Sequence, residues 1–322
     1  MKAMRFHEFG EPSVLRLEDV PTPVPGKGQV LIEVKAAGVN FADTRQRRNL
    51  YPLPQQLPVT PGFEVAGVVE QLGEGVKGFE KGSRVLALPT GGGYSEFAVA
   101  NASMVFAIPD DISFEVAAAL PGQSLTVFYM LEEARLKSGQ AVAVTAAAGG
   151  VGAVTAQIAK LKGAAKVFGI TGSAAKSAGL KATGYDAGFS ADQGDWSDKL
   201  LEATGNAGVD IYLDSVGGEM FTEGLKVLNV GGTIVAFGRA AGKTNSLDPQ
   251  SLMQKNQSVR GFSLYNYMSR PELLKSGLEY LMQACKDGKL TVPVTVYPLS
   301  EAVKVHTEME NRKTTGKIVL IP

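Results

Sequence analysis

The sequence predicts an α/β chain in which a doubly wound parallel sheet is inserted into a β-rich domain. From residues 122 to 262, short apolar runs alternate with helical patterns: AVAVT, KVFGIT, DAGFS, VDIYLD, TIVAFG and SVRGF. Six strands with helices between them make a parallel sheet covered on both faces. Before this region, VLRLED, QVLIEVKAAGV, EVAGVVEQL, RVLALP and YSEFAVA read as strands separated by turns such as PTPVPGKG. After it come a helix over 271–285, a strand over 292–297, a helix over 300–311 and the strand KIVLI. Three elements of this length make a poor core of their own, so the tail is expected to return to the first domain. The expected boundaries are 1–121 with 263–322 for the β-rich domain and 122–262 for the sheet domain, with the cleft between them as the site.

The segment 141–152, AVAVTAAAGGVG, is the most informative. Val142 and Val144 lie in a continuous apolar run, as a buried parallel strand requires, and Val151, Val154, Ile158 and Leu161 then recur at helical spacing. A glycine-rich turn between strand and helix holds a dinucleotide diphosphate: the helix N-terminus offers unpaired N–H groups and positive partial charge. Ala147, Gly149, Gly150, Val151 and Gly152 are therefore expected to line it, with Ala147 in place of the usual first glycine. Gly73, Gly75 and Gly78 match G-x-G-x-x-G literally, but the strand-like RVLAL follows, so they read as a turn between strands.

The second strand of the unit ends at Thr171 and is followed by Gly172, Ser173 and Lys176, with no acid until Asp186. A carboxylate near this point would bind the ribose hydroxyls of NAD, whereas a hydroxyl and an ammonium suit a ribose 2′-phosphate, which favours NADPH. Phe237 and Gly238 close the fifth strand, where the switch-point rule puts the nicotinamide; Phe262 passes nearby or belongs to the core.

Lys+Arg and Asp+Glu are equal at 32 each, so charge favours neither nucleic acid nor a membrane surface. The cluster Arg45, Arg47 and Arg48 reads as a solvated face or a contact for an anionic ligand. The single cysteine, Cys285, excludes an internal disulfide framework. MKAMRFHEFG lacks the apolar core of a signal peptide, so a cytoplasmic location is expected. Residues 141–159 carry no charge, but their glycines argue against a spanning helix.

AAGVNFAD at 36–43, LPVTPGFEVAGVVEQLGEGV at 57–76, SLTVFYML at 124–131, AAAGGVG at 146–152, LDSVGG at 213–218, GGTIVAFG at 231–238 and TGKIVLIP at 315–322 together carry a resemblance along the whole chain. The sequence resembles the zinc-independent quinone oxidoreductase branch of the medium-chain dehydrogenase/reductase superfamily. That resemblance implies a GroES-like catalytic domain, a Rossmann cofactor domain, NADPH, and a homodimer or tetramer, with the homodimer expected here. Zinc members carry a cysteine and a histidine where this chain has Asn40 and Phe63, so no metal is expected.

The resemblance also assigns residues. Asn40 corresponds to an asparagine beside the nicotinamide ribose and substrate, or is a turn residue. Thr126 corresponds to a threonine at the nicotinamide end, or bonds its own helix. Tyr51 resembles the tyrosine of a Tyr-Pro segment near the substrate. Arg312 resembles a near-terminal arginine reaching the 2′-phosphate; as a residue on an amphipathic helix it would instead face solvent. Two positions depart from the family: Ser190 and Arg45 stand where tyrosines are common. Arg45 then either favours an acidic substrate or faces solvent. The implied reaction is hydride transfer to a quinone or an α,β-unsaturated carbonyl, with Asn40, Tyr51 and Arg45 at the substrate. The alternatives are an enoyl-thioester reductase, with Arg45 and Arg48 drawing in a phosphopantetheine arm, and an NADPH-binding protein of low turnover.

Overall fold

The protein's structure, a computed structural model, describes residues 1–51 and 55–322. Its chain divides into two compact units, one of Met1–Gly122, Arg270–Gly288 and Val292–Pro322, the other of Gln123–Ser269 and Lys289–Thr291. The first unit begins with β1 (Lys2–Arg5), β2 (Arg16–Asp19), β3 (Gln29–Val39), α1 (Phe41–Arg47), β4 (Val65–Leu72), β5 (Arg84–Ala87), β6 (Phe97–Asn101), β7 (Val105–Ala107) and α2 (Phe114–Ala117). The second unit runs α3 (Leu125–Glu133), β8 (Ala141–Thr145), α4 (Gly150–Leu161), β9 (Lys166–Thr171), α5 (Ala174–Ala178), β10 (Ala187–Ser190), α6 (Trp196–Ala203), β11 (Val209–Asp214), α7 (Glu219–Val227), β12 (Leu228–Ala236) and β13 (Ser258–Gly261). The chain closes with α8 (Pro271–Lys286), β14 (Val294–Pro298), α9 (Ala302–Glu310) and β15 (Lys317–Ile321).

In the first unit a seven-stranded sheet has the order β14-β15-β3-β4-β5-β7, with β6 also pairing β3. β3 is its spine. Val30, Ile32, Val34, Ala37 and Val39 are buried with Val65, Val69 and Val85 in the same core, so an eleven-residue run with few charges is what this position demands. The terminal strand β15 lies antiparallel to β3, Ile318 opposite Val39 and Leu320 opposite Ala37. The tail thus completes the first unit's sheet. Gly73 to Gly78 form the turn after β4, as their strand-flanked context predicts.

The second unit carries a six-stranded sheet of order β10-β9-β8-β11-β12-β13, every neighbouring pair parallel. This is the α/β architecture the sequence predicts. All six strands coincide with predicted runs, although β12 begins earlier, at Leu228, which pairs with Val209 before a register shift. β1 and β7 go unpredicted; strands of four and three residues give no period to read. Among the described residues, no helix is long and apolar enough to cross a membrane.

Candidate active site

The parallel strands of the second unit deliver the expected dinucleotide residues to one edge of the sheet. β8 ends at Thr145, β9 at Thr171, β12 at Ala236 and β13 at Gly261, so Ala147–Gly152, Gly172–Lys176, Phe237–Gly238 and Phe262 all follow carboxyl ends of strands. The turn after β8 bends sharply: Ala146 has φ 51°. Ala147 N donates to Ile170 O at 3.0 Å, tying the turn to β9. The first hydrogen bond of α4 runs from Ala153 N to Gly149 O, which leaves the N–H groups of Gly150, Val151 and Gly152 without partners inside the helix. Helix and strand pack so closely that a Cβ on Gly152 would lie 2.4 Å from the Cα of Ala147.

Beyond β9, Gly172 has open space around it and Ser173 takes an extended conformation ahead of α5. Partial burial draws the pKa of Lys176, in the first turn of α5, below that of an ordinary lysine. Asp186, the nearest downstream acid, accepts from Val167 N at 2.7 Å and pairs with Lys160. It is therefore occupied structurally. At the end of β11, buried Asp214 accepts from Val216 N at 2.9 Å and from Gly217 N, while Thr145 Oγ1 donates to it at 3.2 Å. Phe237 N returns to the backbone carbonyl of Asp214 at 2.9 Å, so one residue, through its carboxylate and its carbonyl together, organises three neighbouring segments of the sheet's carboxyl edge. Thr126 is buried on α3, and Phe262 is half-buried, its ring 5.9 Å from that of Tyr267.

The first unit buries a polar cluster around Asn40, the residue that precedes α1. Asn40 Nδ2 donates to Glu64 Oε1 at 2.5 Å, and Lys317 Nζ donates to Asn40 Oδ1 at 3.1 Å. Lys317 also pairs directly with Glu64 Oε1, while Glu64 Oε2 accepts from Gly122 N at 2.5 Å. The amide is thus held at both ends, oxygen toward the ammonium and nitrogen toward the carboxylate. Asn40 N donates to Asp43 Oδ2 at 2.8 Å, which fixes the start of α1. Tyr94 Oη donates to the same oxygen at 3.0 Å and lies 3.3 Å from His306 Nε2. With the Tyr94 proton directed at Asp43, Nε2 of His306 is the donor to Tyr94, and Nδ1 is left as a buried acceptor without a partner. Burial raises the Asp43 carboxyl to about 7, against the opposing pull of Asn40 N, Tyr94 and Lys317. Burial, helped by the Arg47 charge, lowers His306 to about 3, so its imidazole is neutral at physiological pH.

Two arginine readings need correction. Arg47 is fully buried, donating to Gly10 O at 2.6 Å and pairing with Glu310; it fastens α1 to α9 and belongs to no solvated face. Arg312 is exposed but lies beyond α9 rather than on it. The chain there turns left-handed, φ 57°, with Lys313 N bonded back to Glu308 O, a geometry no helix continues through. Arg45 is half-buried and donates to Leu50 O at 3.2 Å, next to half-buried Tyr51; Pro52 lies outside the described residues. Ser190 is buried and bonded to Asp192. Sequence reading missed Lys317, Tyr94 and His306. The available signal was Lys317 heading a strand, KIVLI, that is otherwise wholly apolar.

Among the described residues, both carboxylate oxygens of Glu64 are already engaged, and the cation they meet is an ammonium. Among the described residues, no three His, Cys, Asp or Glu side chains converge as a metal site.

Comparison with known proteins agrees with the two-part architecture. Residues 26–110 match the alcohol dehydrogenase GroES-like domain family and residues 150–279 the zinc-binding dehydrogenase family. The chain is 34% identical to the quinone oxidoreductase of Rattus norvegicus, with all of this chain and 98% of the rat protein aligned. It is 35% identical to quinone oxidoreductase 1 of Escherichia coli, covering 99% of each. The crystal structure of the Escherichia coli quinone oxidoreductase complexed with NADPH superposes with a TM-score of 0.94, 34% identity and full coverage of both chains. On this full-length likeness, the chain belongs to the quinone oxidoreductase family of the medium-chain dehydrogenase/reductase superfamily.

Proposed function

We propose that the protein is an NADPH-dependent oxidoreductase that reduces a quinone or an α,β-unsaturated carbonyl without a catalytic metal. The observation that carries this reading is the carboxyl edge of the parallel sheet, where free N–H groups at the start of α4 stand beside a β9 turn bearing Ser173 and Lys176 instead of an acid. The open space at Gly172 suits close approach of a phosphorylated ribose. The NADPH complex of the Escherichia coli relative supports the same cofactor.

Bound NADPH supplies the hydride, and the chain's own residues supply binding, orientation and charge. The α4 N-terminus holds the diphosphate, Ser173 and Lys176 the 2′-phosphate, and the backbone around Phe237 and Gly238 the nicotinamide amide. Asn40, clamped between Glu64 and Lys317, offers its remaining N–H to the acceptor oxygen as that oxygen gains negative charge. The ammonium on its carbonyl makes the amide a stronger donor. Tyr51 lines the acceptor pocket. Metal-free chemistry fits a carboxylate already neutralised by Lys317. A cytoplasmic homodimer completes the reading, with β13 ending the parallel sheet as an edge for a second copy.

An enoyl-thioester substrate is less well served. Arg45 is engaged with the Leu50 carbonyl and Arg48 with Glu11, the two guanidinium groups a phosphopantetheine arm would need. An acceptor panel tests the choice. Naphthoquinone, phenanthrenequinone and simple enones should be turned over with NADPH far faster than crotonyl-CoA, by protein free of zinc. Faster turnover of crotonyl-CoA, or stoichiometric zinc in the active protein, contradicts the proposal.

A further inference from the structure

The π-helical turn Leu120–Ser124 leads into α3 and brings Gln123 against the first residue of α4. Turns of this type are uncommon and recur at functional sites. The contact is close: a Cβ on Gly150 would stand 1.9 Å from Gln123 Nε2 and 2.5 Å from its Oε1, so the carboxamide occupies the space that glycine leaves. Gln123 is only 7% exposed, and its Oε1 has no hydrogen-bond partner. A buried amide oxygen left unpaired is costly and rare in a folded chain, so its partner is to be sought in a ligand.

Of the groups in a dinucleotide, the diphosphate offers only acceptors, whereas the riboses beside it offer hydroxyl donors. The adenosine ribose is taken by the Gly172–Lys176 turn at β9. Gln123 instead belongs to the segment that carries Thr126, three residues on, assigned to the nicotinamide end. We propose that Gln123 is a cofactor-binding residue whose carboxamide accepts a hydroxyl of the nicotinamide-side ribose, while the diphosphate rests on the N–H groups of Gly150, Val151 and Gly152. Gly150 then serves a second purpose beyond close backbone approach: it makes room for this amide. The inference rests on the NADPH reading above and adds a residue to it.

Binding titrations on the full chain test it without turnover. The probes are NADPH, 2′-phospho-ADP-ribose, which keeps the diphosphate and second ribose, and 2′,5′-ADP, which lacks both. Gln123→Met preserves length and packing but removes the acceptor. It should weaken NADPH and 2′-phospho-ADP-ribose about tenfold and leave 2′,5′-ADP at the wild-type Kd. Gln123→Glu puts a carboxylate beside the diphosphate and should lose more than tenfold for the same two ligands. It also serves if the methionine variant fails to fold. Wild-type affinity for all three probes in these variants overturns the role of Gln123 while leaving the NADPH reading intact. Equal weakening of all three overturns it in favour of support for the α4 turn. Wild-type protein that binds none of the probes overturns the NADPH reading itself.

Discussion

Lys317 and Glu64 form an ion pair in which neither side chain exposes any surface. The lysine comes from the last strand and the glutamate from the residue preceding β4, with Asn40 bridging them. The terminal strand therefore does more than complete a sheet: it delivers a cation to the residue proposed to meet the substrate.

Removing that cation strands a buried carboxylate. Lys317→Met should lower unfolding free energy by about 3–5 kcal/mol, the usual effect of breaking a buried pair. The double variant Lys317→Met with Glu64→Gln should recover most of that loss, because no charge is then left unpaired. Urea unfolding of the three proteins decides it, and an unrecovered double variant contradicts the account.

Asp43 and His306 set opposing pH dependences. Asp43 titrates near 7 folded against a reference value of 3.8, so the folded state holds its proton longer; the stability this gives is present below 3.8 and lost as pH rises toward 7. His306 titrates near 3 folded against 6.5, so its contribution is present above 6.5 and lost as pH falls toward 3. Between about pH 4 and 6.5 the two slopes work against each other. Asp43→Asn should make stability rise more steeply with pH across this window, and His306→Gln should make it fall. Unfolding free energies measured at intervals of pH check both signs.

Lys176 should discriminate between cofactors rather than serve both. Lys176→Ala is expected to raise KM for NADPH about tenfold, the scale of one charge-assisted contact, and to leave KM for NADH unchanged. An unchanged KM for NADPH removes Lys176 from the site.

Gly152 has no space to spare. In Gly152→Ala the new methyl meets the Ala147 backbone, so α4 must move off β8, at a cost of about 1–3 kcal/mol. A thermal melt should show a clear drop together with weakened NADPH binding; a wild-type melting temperature contradicts this packing.

Much of the fold was legible because burial imposes period and composition. β8 is read to the residue from a continuous apolar run, β3 from a long apolar-rich run with few charges, and β15 from KIVLI. The strand-turn-helix at α4 was legible because a diphosphate cradle needs glycine at particular steps. What escaped depends on contacts distant in the chain. Lys317 lies 277 residues from Asn40, and a lysine is read as exposed until its partners are known. Arg47, within an arginine cluster that reads as a solvated face or an anionic-ligand contact, escapes for the same reason, since Glu310 is 263 residues away. Gln123 carries no motif at all; it is conspicuous only through an unpaired oxygen that requires coordinates to see.

In the proposed function the β9 turn selects NADPH and the chain transfers its hydride without a metal. The most direct measurement compares kcat/KM for NADPH and NADH with one quinone, using protein dialysed against a strong chelator. A preference for NADPH of about tenfold or more, undiminished by the chelator, is expected. Equal use of the two cofactors, a preference for NADH, or activity lost to the chelator and restored by zinc would contradict it.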